Sequence, residues 1–299
     1  MAVHPKLVDL EKSFNSSILT EVFDPLLDQK QIKLWVKRDD LIHPVISGNK
    51  WRKLKYILDH ALRLDSDTII SMGGAYSNHL HALAFVGKQL NLNTIGYIRG
   101  ESPKNPSQTL LDLHRWGMKL RFVSRSEYRE LRNYKNYDQL PGIQQGEYWL
   151  PEGGSTKLAL QGVAELLSEI DIAYDSLCVP CGTGTTLAGL VEANTTNCNI
   201  LGFSALKGGG FLTQDVEKLM TNNNNHWSII LDYHFGGFAK YDNGLLYFMD
   251  SFLTKQAIEL EQVYTGKMLY GIFDLIQQDY FKPGQKIIAI HTGGLQGKR

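Results

Sequence analysis

Lys50 closes a short turn of small and polar residues, Ser47-Gly48-Asn49-Lys50, and opens a stretch in which Trp51, Leu54, Ile57, Leu58, Ala61 and Leu62 recur at helical spacing. A lysine there sits in the first helical turn, where the positive end of the macrodipole disfavours a cation. Desolvation and nearby positive potential lower the pKa of such an amine and release the neutral form that can make a Schiff base with a carbonyl. Taken alone, Lys50 reads better as one solvated member of a basic run that includes Arg52, Lys53 and Lys55.

Three further regions carry residues that fit one site with a reactive amine. Gly73-Gly74-Ala75-Tyr76-Ser77-Asn78-His79 lies between an apolar run and an amphipathic helix. Its glycines admit close backbone approach, and Ser77, Asn78 and the free N–H groups of a helix start can receive a carboxylate or a ring oxygen. A plain glycine turn with Ser77 as N-cap explains the stretch equally well. Cys181-Gly182-Thr183-Gly184-Thr185-Thr186 also follows an apolar run and precedes a helix of small residues. Backbone N–H groups and threonine hydroxyls at a helix N-terminus make a phosphate cradle. The loop lacks both the lysine of a Walker A motif and the further glycine of the dinucleotide fingerprint, so a monophosphate fits it better. Near the end of the chain, Val263-Tyr264-Thr265-Gly266-Lys267 and His291-Thr292-Gly293-Gly294 offer a tyrosine to cover an aromatic ring and threonine hydroxyls to meet a ring nitrogen. Core aromatics and turn residues would look the same.

The elements that must position these loops alternate. Ile32 to Arg38 reads as a strand after an N-terminal arm of thirty or so residues. Apolar runs at Thr68 to Met72, Thr94 to Ile98 and Leu120 to Val123 then each precede a helical stretch. After Pro151-Glu152-Gly153-Gly154 the rhythm resumes, with strands expected at Leu177 to Pro180, Ile200 to Leu206 and Lys286 to Ile290 and helices between them. Asn222 to Asn225 reads as an exposed loop. Strands alternating with helices imply parallel sheets, whose ligands bind where strand ends lead into helices. The glycine and proline clusters divide the chain into a larger lobe, residues 1–49 and 153–299, and a smaller α/β lobe, residues 50–152.

Composition narrows the partner. Lys+Arg and Asp+Glu both number 31, which leaves no global charge signature for nucleic acid or an anionic membrane and favours a small molecule. No apolar run approaches the roughly 20 residues that span a bilayer, and the start resembles no signal peptide, so cytoplasmic residence is expected. Cys178 and Cys181 form a C-x-x-C without a second ligand pair, read as a buried cysteine followed by a loop cysteine. His79 and His81 fall on different helix faces, and no metal is expected.

A reactive lysine, a phosphate cradle, a serine-asparagine loop and an aromatic cover together make the parts of a pyridoxal-phosphate enzyme. The stretches KRDDLIHPVISGNKWRKL, GGAYSNH, PEGGSTKLALQG, CGTGTTLAGL, VYTGKML and HTGGLQG occur in order between residues 37 and 297. In these the chain resembles the family of D-cysteine desulfhydrase and 1-aminocyclopropane-1-carboxylate deaminase, with its two-lobed, fold-type-II, tryptophan-synthase-β-like architecture of mostly parallel sheets flanked by helices. The resemblance implies that Lys50 carries pyridoxal 5'-phosphate, that Asn78 meets the ring hydroxyl, and that Gly182, Thr183, Gly184, Thr185 and Thr186 bind the phosphate. It implies that Ser77, with the Asn78 and His79 amides, holds the substrate carboxylate, and that Tyr264 lies against the ring, with Tyr241 a second active-site tyrosine. Members that open the cyclopropane ring carry glutamate and leucine where this chain has Thr265 and Thr292. A threonine cannot hold the ring nitrogen protonated as a carboxylate would, which tilts the expectation to D-cysteine. The alternatives are deamination of the cyclopropane substrate, another deaminase or racemase of small D-amino acids, and cofactor binding without turnover. A homodimer is implied as well.

Overall fold

The computed structural model describes residues 2–46, 48–221 and 226–298; Ser47 and the asparagine run at 222–225 lie outside them. The chain opens with helix α1 (Pro5–Glu11), strand β1 (Leu19–Val22), helix α2 (Pro25–Lys30) and strand β2 (Lys33–Lys37). Helix α3 (Asn49–Arg63) then leads into β3 (Thr68–Gly73), α4 (Asn78–Leu90), β4 (Asn93–Arg99), α5 (Gln108–Arg115), β5 (Lys119–Val123), α6 (Arg125–Leu131) and β6 (Glu147–Leu150). The remainder runs α7 (Lys157–Ser168), β7 (Ser176–Cys181), α8 (Thr185–Ala193), β8 (Asn199–Ser204), α9 (Leu212–Leu219), β9 (Trp227–Ile230), α10 (Asn243–Gln256), α11 (Thr265–Gln277) and β10 (Lys286–Ile290).

Two sheets result, flanked by helices as the alternating pattern requires. One has the order β1-β2-β10-β7-β8-β9 and the other β5-β4-β3-β6. Every pairing is parallel except that of β1 with β2, where Val22 lies opposite Leu34. Residues 19–22, read as part of an arm, are therefore woven into the sheet as its antiparallel edge. Strands β6 and β9 were not anticipated, because four residues are too few for a two-residue period to stand out.

Strand order explains where the loops converge. In the larger sheet β7 has β8 on one side and β10 on the other, and in the smaller β3 lies between β4 and β6. At such switch points the connections leave in opposite directions and open a crevice at the carboxyl ends of the strands. The loops after β7 and β10 and those after β3 and β6 are the ones that the sequence singles out. Apolar clusters cover both faces of each sheet, so the crevice walls are rigid.

Helices α3, α7 and α8 are held at backbone distance by glycine. A Cβ on Gly162 would stand 1.9 Å from the carbonyl oxygen of Arg52, and one on Gly189 would stand 2.7 Å from Cβ of Val163. This spacing lets the first turn of α3 reach the first turn of α8. Among the described residues no helix is long and apolar enough to cross a membrane. Gly162→Ala should lower stability by about 1–3 kcal/mol through overpacking, despite alanine's roughly 1 kcal/mol advantage in helix propensity. A urea midpoint equal to or above that of the parent would contradict the close approach.

Candidate active site

The turn into α3 is built against the end of β10. Gly48 caps the helix with φ 63° and donates its N–H to Asp39 O at 2.8 Å, and a Cβ there would stand 1.9 Å from Thr292 O. Only glycine fits. Three residues after the helix start, Arg52 grips Asp39 through Nε and Nη2 (2.6 and 2.8 Å) and both oxygens of Glu169 at 2.8 Å, while Lys37 joins Glu169 at 2.8 Å. These carboxylates raise the already high pKa of Arg52 against the opposing effect of burial. The fork geometry fixes the helix start rigidly.

Lys50 Nζ donates to Asn49 Oδ1 at 2.5 Å, and Asn49 Nδ2 donates to Thr186 Oγ1 at 2.8 Å. One side chain thus ties the amine to the loop after β7. Burial lowers the Lys50 pKa to about 8, with the charge of Glu261 opposing the shift. The basic run is not a solvated face: Arg52, Lys53 and Lys55 are all buried.

Residues Gly182 to Thr186 form a cradle open to an anion. Gly184 enters α8 at φ 73° and no side chain caps the helix, so its first N–H groups are left for a ligand. Thr183 Oγ1 lies 2.9 Å from Thr185 Oγ1, which donates to Ser155 Oγ at 3.0 Å. The ring of Tyr264 leans over Gly182, where a Cβ would stand 3.0 Å from its Cε1. Beside this loop is a residue that sequence reasoning passed over. The Lys53 pKa is driven well below the ordinary value by burial and then by the charge of Lys50, and no carboxylate among the described residues offsets it. A dianion between Lys53 and the α8 N-terminus would offset the cost of burying the ammonium. Its signal was the spacing: three residues after Lys50, on the same helical face.

Cys181, expected in a loop, is the last residue of β7 and is buried, with its thiol pushed up to about 12 by desolvation. All three cysteines are free and buried. Among the described residues no group of His, Cys, Asp or Glu is placed to hold a metal ion.

On the opposite wall, Ser77 is the N-cap of α4 and its Oγ accepts from Leu80 N at 3.2 Å. The Asn78 and His79 N–H groups open that helix. His79 is buried, with Nε2 2.9 Å from Ser71 Oγ, and the serine gives its own proton to Leu150 O at 2.8 Å. Nε2 therefore carries the ring proton, and Nδ1 is a buried acceptor with no partner among the described residues. Burial, then Lys50 and Lys53, lower the imidazole pKa to about 3, so the ring is neutral. Asn78 Oδ1 accepts from Gln296 Nε2 at 2.7 Å.

The third wall centres on Glu261, another residue missed. Its buried carboxylate accepts from the backbone N of Val263, Tyr264 and Thr265 at 2.7, 2.8 and 2.6 Å and from Thr265 Oγ1 at 3.2 Å. Desolvation raises its pKa against these bonds. The Thr265 hydroxyl is thereby engaged by Glu261, whereas Thr292 stands beside the Asn49 N–H that its carbonyl receives at 3.4 Å. Tyr264 is crossed edge-on by Phe238 at 6.0 Å and its phenol is held protonated by burial. Tyr241 is 51% exposed and joins none of these contacts.

The site's parts match a protein family. Residues 21–293 fit the model of the pyridoxal-phosphate-dependent enzymes, and the chain belongs to that family. It is 29% identical to a putative 1-aminocyclopropane-1-carboxylate deaminase of Pyrococcus horikoshii, over 99% of this chain and 96% of the relative. With a D-cysteine desulfhydrase of Klebsiella pneumoniae it shares 28% identity, over 92% and 90%. A solved 1-aminocyclopropane-1-carboxylate deaminase homologue superposes with TM-score 0.80 at 26% identity, covering 99% of this chain and 96% of that one. Pyridoxal 5'-phosphate is thus the cofactor, and the open cradle and unpaired Lys53 fit its phosphate.

Two outcomes follow from the lysine pair. Lys53→Met should raise the dissociation constant of pyridoxal phosphate on the order of 10–100-fold, the loss of a charged hydrogen bond, while leaving the cofactor-free protein as stable or more so. Equilibrium titration and urea unfolding would measure the two. For Lys50, a folded pKa of about 8 below the ordinary 10.5 means that the unfolded chain binds more protons between those values. The cofactor-free protein should therefore gain stability as pH rises through that window. Lys50→Met should flatten this slope in a series of pH-dependent melts.

Proposed function

We propose that this chain is a lyase or deaminase that releases ammonia and a 2-oxo acid from a small amino acid. The observation that carries it is the chain of bonds from Lys50 through Asn49 to Thr186, which sets one amine at a fixed reach from a phosphate cradle. Bound there, pyridoxal phosphate supplies an electron sink for charge developing at Cα. Lys50, its pKa lowered to about 8, is an amine able to attack a carbonyl and afterwards to hold or release a proton near neutral pH. The Ser77 hydroxyl and the Asn78 and His79 N–H groups receive the substrate carboxylate at the start of α4. The Tyr264 ring covers the cofactor, and its phenol can return a proton. Neutral His79 adds no cation beside the two lysines.

Two features favour reaction of 1-aminocyclopropane-1-carboxylate or a similar small amino acid, giving the corresponding 2-oxo acid and ammonia. The deaminase name recurs among relatives 29% identical and in the solved homologue. Glu261 also brings a buried carboxylate within electrostatic reach of the site, which weakens the inference that threonines leave the ring nitrogen without acidic support. D-Cysteine is the second reading, on Thr265 and Thr292; elimination there yields pyruvate, ammonia and hydrogen sulfide. We take residues 50–152 as the smaller lobe and the assembly as a cytoplasmic homodimer that binds no nucleic acid.

The purified protein should show a visible cofactor band and release 2-oxobutyrate from the cyclopropane substrate, pyruvate with hydrosulfide from D-cysteine, or both. Lys50→Ala should lose the band and on the order of 10²–10⁴-fold in turnover. A bound cofactor with no product from either substrate would overturn the reading.

A further inference from the structure

Asn78 is the only residue of the α4 start that reaches the segment after β10 through a side-chain hydrogen bond among the described residues, and that bond has a direction. Gln296 Nε2 donates to Asn78 Oδ1 at 2.7 Å. The other half of the amide, Nδ2, donates to no described residue. It lies 2.9 Å from the place a Cβ on Gly294 would take, a position also bordered by the side chain of Glu261, with Cγ at 3.5 Å and Cδ at 3.8 Å. Gly294, at φ 92°, puts no side chain at that place.

We propose that Gln296 is a positioning residue that orients the Asn78 amide, so that only its Nδ2–H is offered to the crevice and the oxygen bound there must act as an acceptor. The inference rests on the reading that Asn78 meets the cofactor's ring hydroxyl, and it adds the residue that keeps the amide from turning over. With Oδ1 engaged by Gln296, a protonated ring hydroxyl would find no acceptor on Asn78. An isolated asparagine could turn over and serve either form.

The test uses the full chain, loaded with pyridoxal phosphate, in Gln296→Leu, Gln296→Glu, Asn78→Ala and the Gln296→Leu/Asn78→Ala double variant. Gln296→Leu should weaken cofactor binding about 3–10-fold, as expected for one neutral hydrogen bond. It should also raise the pH at which the visible band titrates. Gln296→Glu, an acceptor only at neutral pH, should turn the amide over and raise that midpoint further, by about one pH unit. In the Asn78→Ala background Gln296→Leu should add nothing to either readout, which a merely structural role would not produce. Urea midpoints of the cofactor-free variants should match the parent. Single variants with parental midpoint and affinity, or a Gln296→Leu effect undiminished by Asn78→Ala, overturn the inference alone. A parent protein without the band, or one that Lys50→Ala leaves unchanged, overturns the cofactor reading and this inference with it.

Discussion

Two ammonium groups buried at the start of one helix impose the constraint around which the rest of the structure is arranged. Lys50 and Lys53 share a face of α3 at the end where the helix dipole already disfavours positive charge, and burial lowers the pKa of both, with the charge of Lys50 lowering that of Lys53 further. Close by, α8 presents uncapped N–H groups rather than an anion. The folded chain thus concentrates positive potential that Glu261 offsets only in part at Lys50, and an anionic ligand would complete the balance. Such a site is costly to assemble, and the surroundings are correspondingly stiff. Arg52 spans Asp39 and Glu169, Gly162 brings α7 against α3, and Asn49 bridges to Thr186.

The sheets deliver the remaining walls. Parallel strands put all their carboxyl ends on one side, and the reversals of strand order at β7 and at β3 open a crevice in each sheet. The first turn of α3, the loop before α8 and the start of α4 are placed by these strand ends and helix starts. Glycine supplies close approach where it is needed, at Gly48 against Thr292 and at Gly182 beneath Tyr264.

Much of this was legible in the sequence. The long strands and helices announced themselves by period, and the glycine-rich loops by their position between apolar runs and helices, and Lys50, Ser77, Asn78 and Gly182 to Thr186 do stand at the starts of α3, α4 and α8. What escaped shares a physical cause: it depends on neighbours far along the chain. Strand β6 is only Glu147–Leu150, and its role comes from pairing with β3. Leu19–Val22 looked like an arm because nothing local says that it pairs with β2. Lys53 resembled surface charge until the fold buried it. Glu261 lies four residues before Thr265, yet only the folded turn shows that it absorbs the threonine hydroxyl and three amides. Tyr241 rested on the loosest part of the resemblance, and it alone of the named residues stands mostly in solvent.

The buried cysteines bear on chemical durability. Cys178 and Cys181 are shielded along β7, and desolvation raises both thiols, Cys181 to about 12. Cys198 is enclosed as well. Nucleophilic sulfur is the thiolate, which the surroundings of Cys178 and Cys181 withhold. A protein whose second candidate substrate is itself a thiol therefore keeps its own thiols from attacking the disulfide that such a thiol forms once it is oxidised. The same packing that completes the larger sheet insulates the protein from the reagents its site would handle.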